Sequence, residues 1–189
     1  MDPIRNILEI IRFMANAHLN VAEPRVEDWV ALTSVVGPDG AINPAAKEKI
    51  VLMLYNLTQG SIVSADHPQR WQRPSDAMVT PPLYIDLHVV FMANFSVDQY
   101  STGLTALSKI VSYFQQNPYL TRDNARELDP TIDRISFEFA SLSPADVHHV
   151  MNMLGTKYVP SAFYKLRMIS YRSTVIPSVG LPTAVRDSV

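Results

Sequence analysis

The segment TPPLYIDLHVVFMANF, Thr80 to Phe95, alternates with a period of two over almost its whole length. Leu83, Ile85, Leu87, Val89, Phe91, Ala93 and Phe95 fall on one side, and Tyr84, Asp86, His88, Val90, Met92 and Asn94 on the other. Successive side chains of an extended chain point to opposite faces, so this pattern predicts a long strand with one fully apolar face. The fold is therefore built on a sheet. Asp86 and His88 share the second face, and their reading decides whether the chain looks like an enzyme.

Working outward, KEKIVLMLYNLTQ, residues 47–59, is apolar on both alternating faces from Ile50 to Tyr55, which suits an inner strand covered on both sides. DRISFEFASL places Ile135, Phe137 and Phe139 on one face of a further strand. SAFYKLRMISYR predicts a last one, with Tyr164, Leu166 and Met168 opposing Lys165 and Arg167. RVEDWVALTSV is a short strand candidate near the N-terminus.

Three helices are legible between them. Asp2-Pro3 supplies an N-cap and a first helical residue whose missing N–H is no loss there, followed by Ile4, Ile7, Leu8, Ile11, Met14 and Ala15 at helical spacing. This first helix is expected to end near His18–Asn20. Leu104, Leu107, Val111 and Phe114 form a second stripe, stopped at Asn117-Pro118 because the residue before proline avoids the helical region. In SPADVHHVMNMLG, Ser143 caps, Pro144 begins, Asp146 occupies a capping-box position and Gly155 ends a short third helix.

The order predicts an α+β domain over residues 1–172: one mixed or antiparallel sheet with helices packed on its apolar face. Residues 173–189 form a proline-containing tail. Gly60 to Pro82, with four prolines, predicts a long irregular loop of the kind that reaches a neighbour.

Composition narrows the function. With 189 residues, 47% of them hydrophobic, one self-sufficient core is expected. Sixteen Lys and Arg against eighteen Asp and Glu give a net charge of -2 with no basic run, so neither nucleic acid nor an anionic membrane is an expected partner. The chain lacks cysteine, which excludes disulfides and thiolate chemistry and fits a reducing compartment. No apolar run approaches the ~20 residues of a membrane span, and the N-terminus lacks a signal-peptide core. Folding in the cytoplasm is the expectation.

Asp86-x-His88 could orient a base or begin a metal site, with His148, His149 or Glu138 as the nearest further ligands by type. The spacings of the familiar metal motifs are missing, as are the nucleophile elbow and the glycine-rich phosphate loops. No cofactor, metal or catalytic residue is assigned. Adjacent helix residues diverge by about 100°, so His148 and His149 cannot chelate together, and one is expected at the rim of the core. The alternative reading places Asp86, His88, Glu138, Lys165 and Arg167 together on the sheet face away from the helices, as cross-strand pairs or as a surface between subunits. Trp29, Trp71 and Tyr119 are either anchors of such a surface or caps on the core. Reversing both cations, Lys165→Glu with Arg167→Glu, is expected to leave the fold intact while weakening assembly.

Three stretches in order, PPLYIDLHVVFMAN, GLTALSKIVSYFQQNPYL and YVPSAFYKLRMISY, resemble the cap, or tail-terminator, proteins of extracellular contractile injection systems. These are phage-tail-like particles. The resemblance runs from about Ile4 to Arg172. It implies a phage tail-terminator-like fold and a structural subunit in a six-fold ring. Such a ring closes the end of the particle distal to the baseplate, touches inner tube and sheath, and stops their elongation. Candidate subunit-interface residues are then Asp86, His88, Glu138, Lys165, Arg167 and Trp71, and the particle is assembled in the cytoplasm and released. Some relatives continue beyond this domain, which leaves a principal cap and a cap-like paralogue both open. A baseplate or sheath-adaptor subunit is the alternative within the same machinery, and a small metal-dependent hydrolase the alternative outside it.

Overall fold

The computed structural model describes residues 2–60, 83–130 and 132–171. Its centre is a six-stranded sheet built from β1 (Val30–Leu32), β2 (Lys49–Gln59), β3 (Leu83–Asn94), β4 (Tyr119–Thr121), β5 (Arg134–Phe139) and β6 (Ser161–Tyr171). The order across the sheet is β1-β2-β3-β6-β5-β4. Among the described strands, β1 and β2 run parallel and the other neighbouring pairs are antiparallel. The expected mixed sheet is present, and the Thr80–Phe95 segment supplies its long central strand.

Helices α1 (Pro3–Ala22) and α2 (Tyr100–Gln116) cover the face that the sequence marked as apolar. From α1 come Ile7, Leu8, Ile11, Ala15 and Leu19, and from α2 Ala106, Leu107, Ile110 and Phe114. They meet Leu87, Val89 and Phe91 of β3, Leu52 of β2 and Leu166 of β6. The Asp2 side chain accepts from the Arg5 N–H at 3.4 Å, as its N-cap position requires. The helix runs past His18–Asn20 and ends at Glu23, whose backbone is extended. Gly103 lets α2 approach the chain leaving β3: a Cβ there would sit 2.7 Å from Phe95 Cδ2.

The third helix, α3 (Pro144–Met153), refines the expected one-faced arrangement, because it lies on the opposite side of the sheet. Met151 joins Val51, Val90, Met92 and Phe163, all from the second face, in a smaller core closed by Val35 and Ala46. The alternation in β3 foreshadows this, since Val90 and Met92 needed cover as well. Punctuation of α3 follows the sequence. Ser143 and Asp146 form a capping box. Gly155, at φ +68°, donates to the Asn152 carbonyl at 3.0 Å, and Thr156 donates to Met151 at 3.1 Å, completing a Schellman motif.

Two features were not legible. Tyr119–Thr121 forms an edge strand directly after the α2 stop. Register shifts also break the ladder between Leu54 and Asn56 of β2, and in β6 opposite Asp86.

Candidate functional site

The second sheet face divides into two halves. At one end α3 buries apolar side chains; at the other the same strands present polar ones. On β3, Val90 gives way to His88 and then Asp86. On β6, which runs antiparallel, Phe163 lies across from Val90 and Lys165 across from His88. Beyond that, Arg167 and Met168 together oppose the single residue Asp86, a bulge. Glu138 of β5 lies across from Lys165. On β2 the extra residue Tyr55 turns Asn56 and Thr58 toward His88 and Asp86 respectively. The structure thus brings Asp86, His88, Glu138, Lys165 and Arg167 together, as the strand faces suggested. Trp71 lies outside the described residues, as does nearly all of the Gly60–Pro82 loop and the tail.

The charges pair diagonally. Lys165 Nζ is 2.9 Å from Asp86 Oδ2, and Arg167 Nε is 3.0 Å from Glu138 Oε2. Their environments differ sharply. Asp86 is 4% exposed, whereas the Arg167 and Glu138 side chains are each 45% exposed. Gly60 contributes to the enclosure, since a Cβ at that position would be 3.1 Å from Asp86 Oδ1. Asp86 is therefore not the exposed surface residue that alternation alone suggested. A buried carboxylate needs a partner, and its partner is Lys165. Nor are the two cations equivalent: reversing Arg167 disturbs a solvated pair, but reversing Lys165 places two carboxylates around an enclosed site. The doubly reversed variant is thus a test of stability as much as of assembly.

His88 completes the cluster. Its Nε2 is 2.8 Å from Thr58 Oγ1, and the Tyr55 ring meets it edge-on at 5.8 Å between centroids. Burial holds the His88 pKa below its ordinary value; the Lys165 charge lowers it further and Asp86 works in the opposite direction. A neutral imidazole follows near pH 7. Thr58 was not singled out by sequence, and the signal for it lay in β2 register, which depends on the bulge at Tyr55.

Among the described residues, no group of three or more His, Asp or Glu side chains is placed to hold a metal ion. His148 and His149 are both exposed, against the expectation that one lines the core, and His148 instead meets Asn152 at 3.0 Å. Of the three aromatic candidates, Trp29 is a core residue at 2% exposure, its Nε1 donating to the Glu23 carbonyl at 2.9 Å. Tyr119 is half exposed, with the Arg134 guanidinium 4.7 Å above its ring. An open cleft of about 820 Å³ lies beside α3, lined by Leu142, Val147, Met151 and Tyr158 among others. A second, of about 440 Å³, lies between α2 and β5 beside Phe137, Phe139 and Tyr164. Both are mainly apolar, the pattern of contact surfaces more than of reaction centres. No helix among the described residues is long and apolar enough to cross a membrane.

Known proteins can be set beside this geometry. No curated protein matches the sequence. Two solved structures match in fold. One is a cryo-EM structure of the PVC sheath/tube terminator, in its extended state, from an extracellular contractile injection system. It shares 11% identity with a TM-score of 0.55 over 98% of this chain and 64% of the other. The second is the anti-feeding prophage cap, a tube-terminating cap, at 14% identity and TM-score 0.54, over 95% of this chain and 60% of the other. The chain thus spans under two thirds of the length of either structure. Its curled α+β sheet is a terminator-type fold, in agreement with the resemblance carried by the three sequence stretches. A family model described as the Pvc16 N-terminal domain matches residues 7–184, and the chain belongs to that family.

Proposed function

We propose that this chain is a structural subunit that terminates the tube of a contractile injection particle. The observation that carries the reading is the fold match over 98% of the chain to a sheath/tube terminator, together with family membership across residues 7–184. The subunit acts by geometry alone, offering the last tube ring a surface that no further subunit can extend, and catalyses no reaction. Assembly takes place in the cytoplasm, and the subunit leaves with the particle.

A closed ring, here six-fold, repeats one heterologous contact around an axis, so each copy needs two different surfaces. The exposed apolar side chains are consistent with that need: Phe13 on α1, Phe139 on β5, and Met153 and Tyr158 around α3 lie on separate elements, all largely exposed. The polar end of the second sheet face is a further contact candidate. There His88, Lys165, Arg167 and Glu138 would set register, with Asp86 acting through Lys165; Trp71, outside the described residues, is kept as a contact candidate on its residue type alone. Deleting the chain from a particle-producing strain tests the proposal. Overlong, length-dispersed tubes are expected, restored by supplying the chain in trans. Particles of unchanged length would refute termination, and normal sheaths lacking a baseplate would favour an adaptor role.

A further inference from the structure

An open sheet presents two edge strands, each with a row of unpaired backbone groups that invites another strand. Among the described residues, the edges of this sheet are β1 and β4. At β1, the outward-facing groups of Val30 are both taken by one side chain from α1. The Val30 N–H donates to Asn16 Oδ1 at 2.8 Å, and Asn16 Nδ2 donates to the Val30 carbonyl at 3.0 Å. Asn16 sits within the apolar stripe of α1 and is itself buried, so its carboxamide stands where a seventh strand would.

The opposite edge repeats the device with unrelated sequence. The Thr121 N–H donates to Asn124 Oδ1 at 2.8 Å, and Asn124 Nδ2 donates to the Tyr119 carbonyl at 2.8 Å. The Thr121 carbonyl is taken as well, by the Asn124 and Ala125 N–H groups at 3.2 and 2.9 Å. Pro118 and Phe137 pair on the inner side of this strand at 2.8 Å, which confirms that Tyr119 and Thr121 direct these groups outward. A carboxamide offers one donor and one acceptor in a plane and so imitates a peptide unit. Arg134, stacked over the Tyr119 ring, adds a charge at the same margin.

We propose that Asn16 and Asn124 are plugs that close both ends of the sheet to strand addition by a second copy of the chain. Copies are thereby limited to contacts between side-chain surfaces, which can close a ring, and are barred from open-ended sheet growth. The inference stands on the edge geometry and holds whether or not the chain is a terminator. Asn124 is solvent-exposed in a turn, so its side chain can be changed with little disturbance of the core.

The experiment uses the full chain carrying Asn124→Ala, compared with wild type by amide hydrogen exchange and by sedimentation over a concentration series. Exchange at Thr121 is expected to accelerate about tenfold, the equivalent of one ordinary hydrogen bond. A species larger than the wild-type assembly should appear with concentration. Adding Thr121→Pro, which removes the freed donor, should abolish that species. A folded Asn124→Ala protein with faster Thr121 exchange but wild-type mass at every concentration would overturn the proposal. If Asn124→Ala does not fold, Asn124→Gly, which a turn position tolerates, likewise removes both side-chain bonds, and wild-type mass for that folded variant would overturn the proposal equally.

Discussion

Replacing Lys165 with methionine removes the cation beside Asp86 while keeping most of the side-chain volume. Lys165 Nζ and Asp86 Oδ2 are 2.9 Å apart, with the side chains 26% and 6% exposed. Stranding one member of a fully buried pair costs about 3–5 kcal/mol, because the remaining charge has neither water nor partner. The pair opens to solvent on the Lys165 side, so water reaches Asp86 once the amine is gone, and about 2–3 kcal/mol is the expected loss. For a domain of this size, that is a fall in melting temperature of roughly 4–12 °C. Arg167→Met is the matched control. Its pair with Glu138 is similar in length, 3.0 Å, but half exposed on both sides, and such pairs contribute about 0.2–1 kcal/mol. Urea denaturation of both variants, with Asp86→Asn and Asp86→Asn/Lys165→Met completing a double-mutant cycle, gives the coupling. Neutralising Asp86 in the Lys165→Met background should recover at least about 1 kcal/mol, since the stranded charge is what destabilises. If Lys165→Met loses no more stability than Arg167→Met, the distinction between an enclosed and a solvated pair is wrong.

Other outcomes follow from the same geometry. Asn16→Leu should destabilise by about 2–4 kcal/mol in chemical denaturation, because both Val30 backbone groups lose their partner inside the protein; a loss under about 0.5 kcal/mol would mean that water or another group serves them. Gly103→Ala should also destabilise, by roughly 1 kcal/mol net. Alanine gains up to about 1 kcal/mol of helix propensity, but its Cβ meets the Phe95 ring at 2.7 Å and the overpacking outweighs it. A more stable Ala variant would show that Phe95 moves aside freely. His88 binds its proton less readily in the folded state than in the unfolded one. Its contribution is therefore fully present above the ordinary histidine pKa of about 6.5 and is lost as pH falls through the depressed folded value. The stability difference between wild type and His88→Gln should shift against wild type below about pH 6.5, read from denaturation curves at pH 7.5 and 5.5; a difference independent of pH would contradict it.

Most of the architecture was legible because its elements carry strong periodic signals. Leu87, Val89 and Phe91 announced the central strand, and Ser143, Pro144, Asp146 and Gly155 bounded α3 to the residue. What could not be read depends on pairing between distant segments. The bulges at Tyr55 and opposite Asp86 are properties of two strands at once, so the burial of Asp86 and the meeting of His88 with Thr58 had no local signature. Placing α3 on the second face required knowing that Val51, Val90, Met92 and Phe163 converge there, although each lay on a legible alternation. Asn16 was hidden for a different reason. Within the stripe of α1 it reads as a polar interruption, and its purpose appears only when β1 lies alongside. Trp29 shows the converse, an aromatic outside any stripe that is nonetheless core because Glu23 satisfies its N–H.

The central claim, that this chain ends the tube of a contractile injection particle, is tested most directly by cryo-EM of particles purified from a strain that encodes it. Density fitting this α+β domain is expected as a single ring at the end of the tube distal to the baseplate. The same domain found along the shaft, at the baseplate, or nowhere in intact capped particles would contradict it.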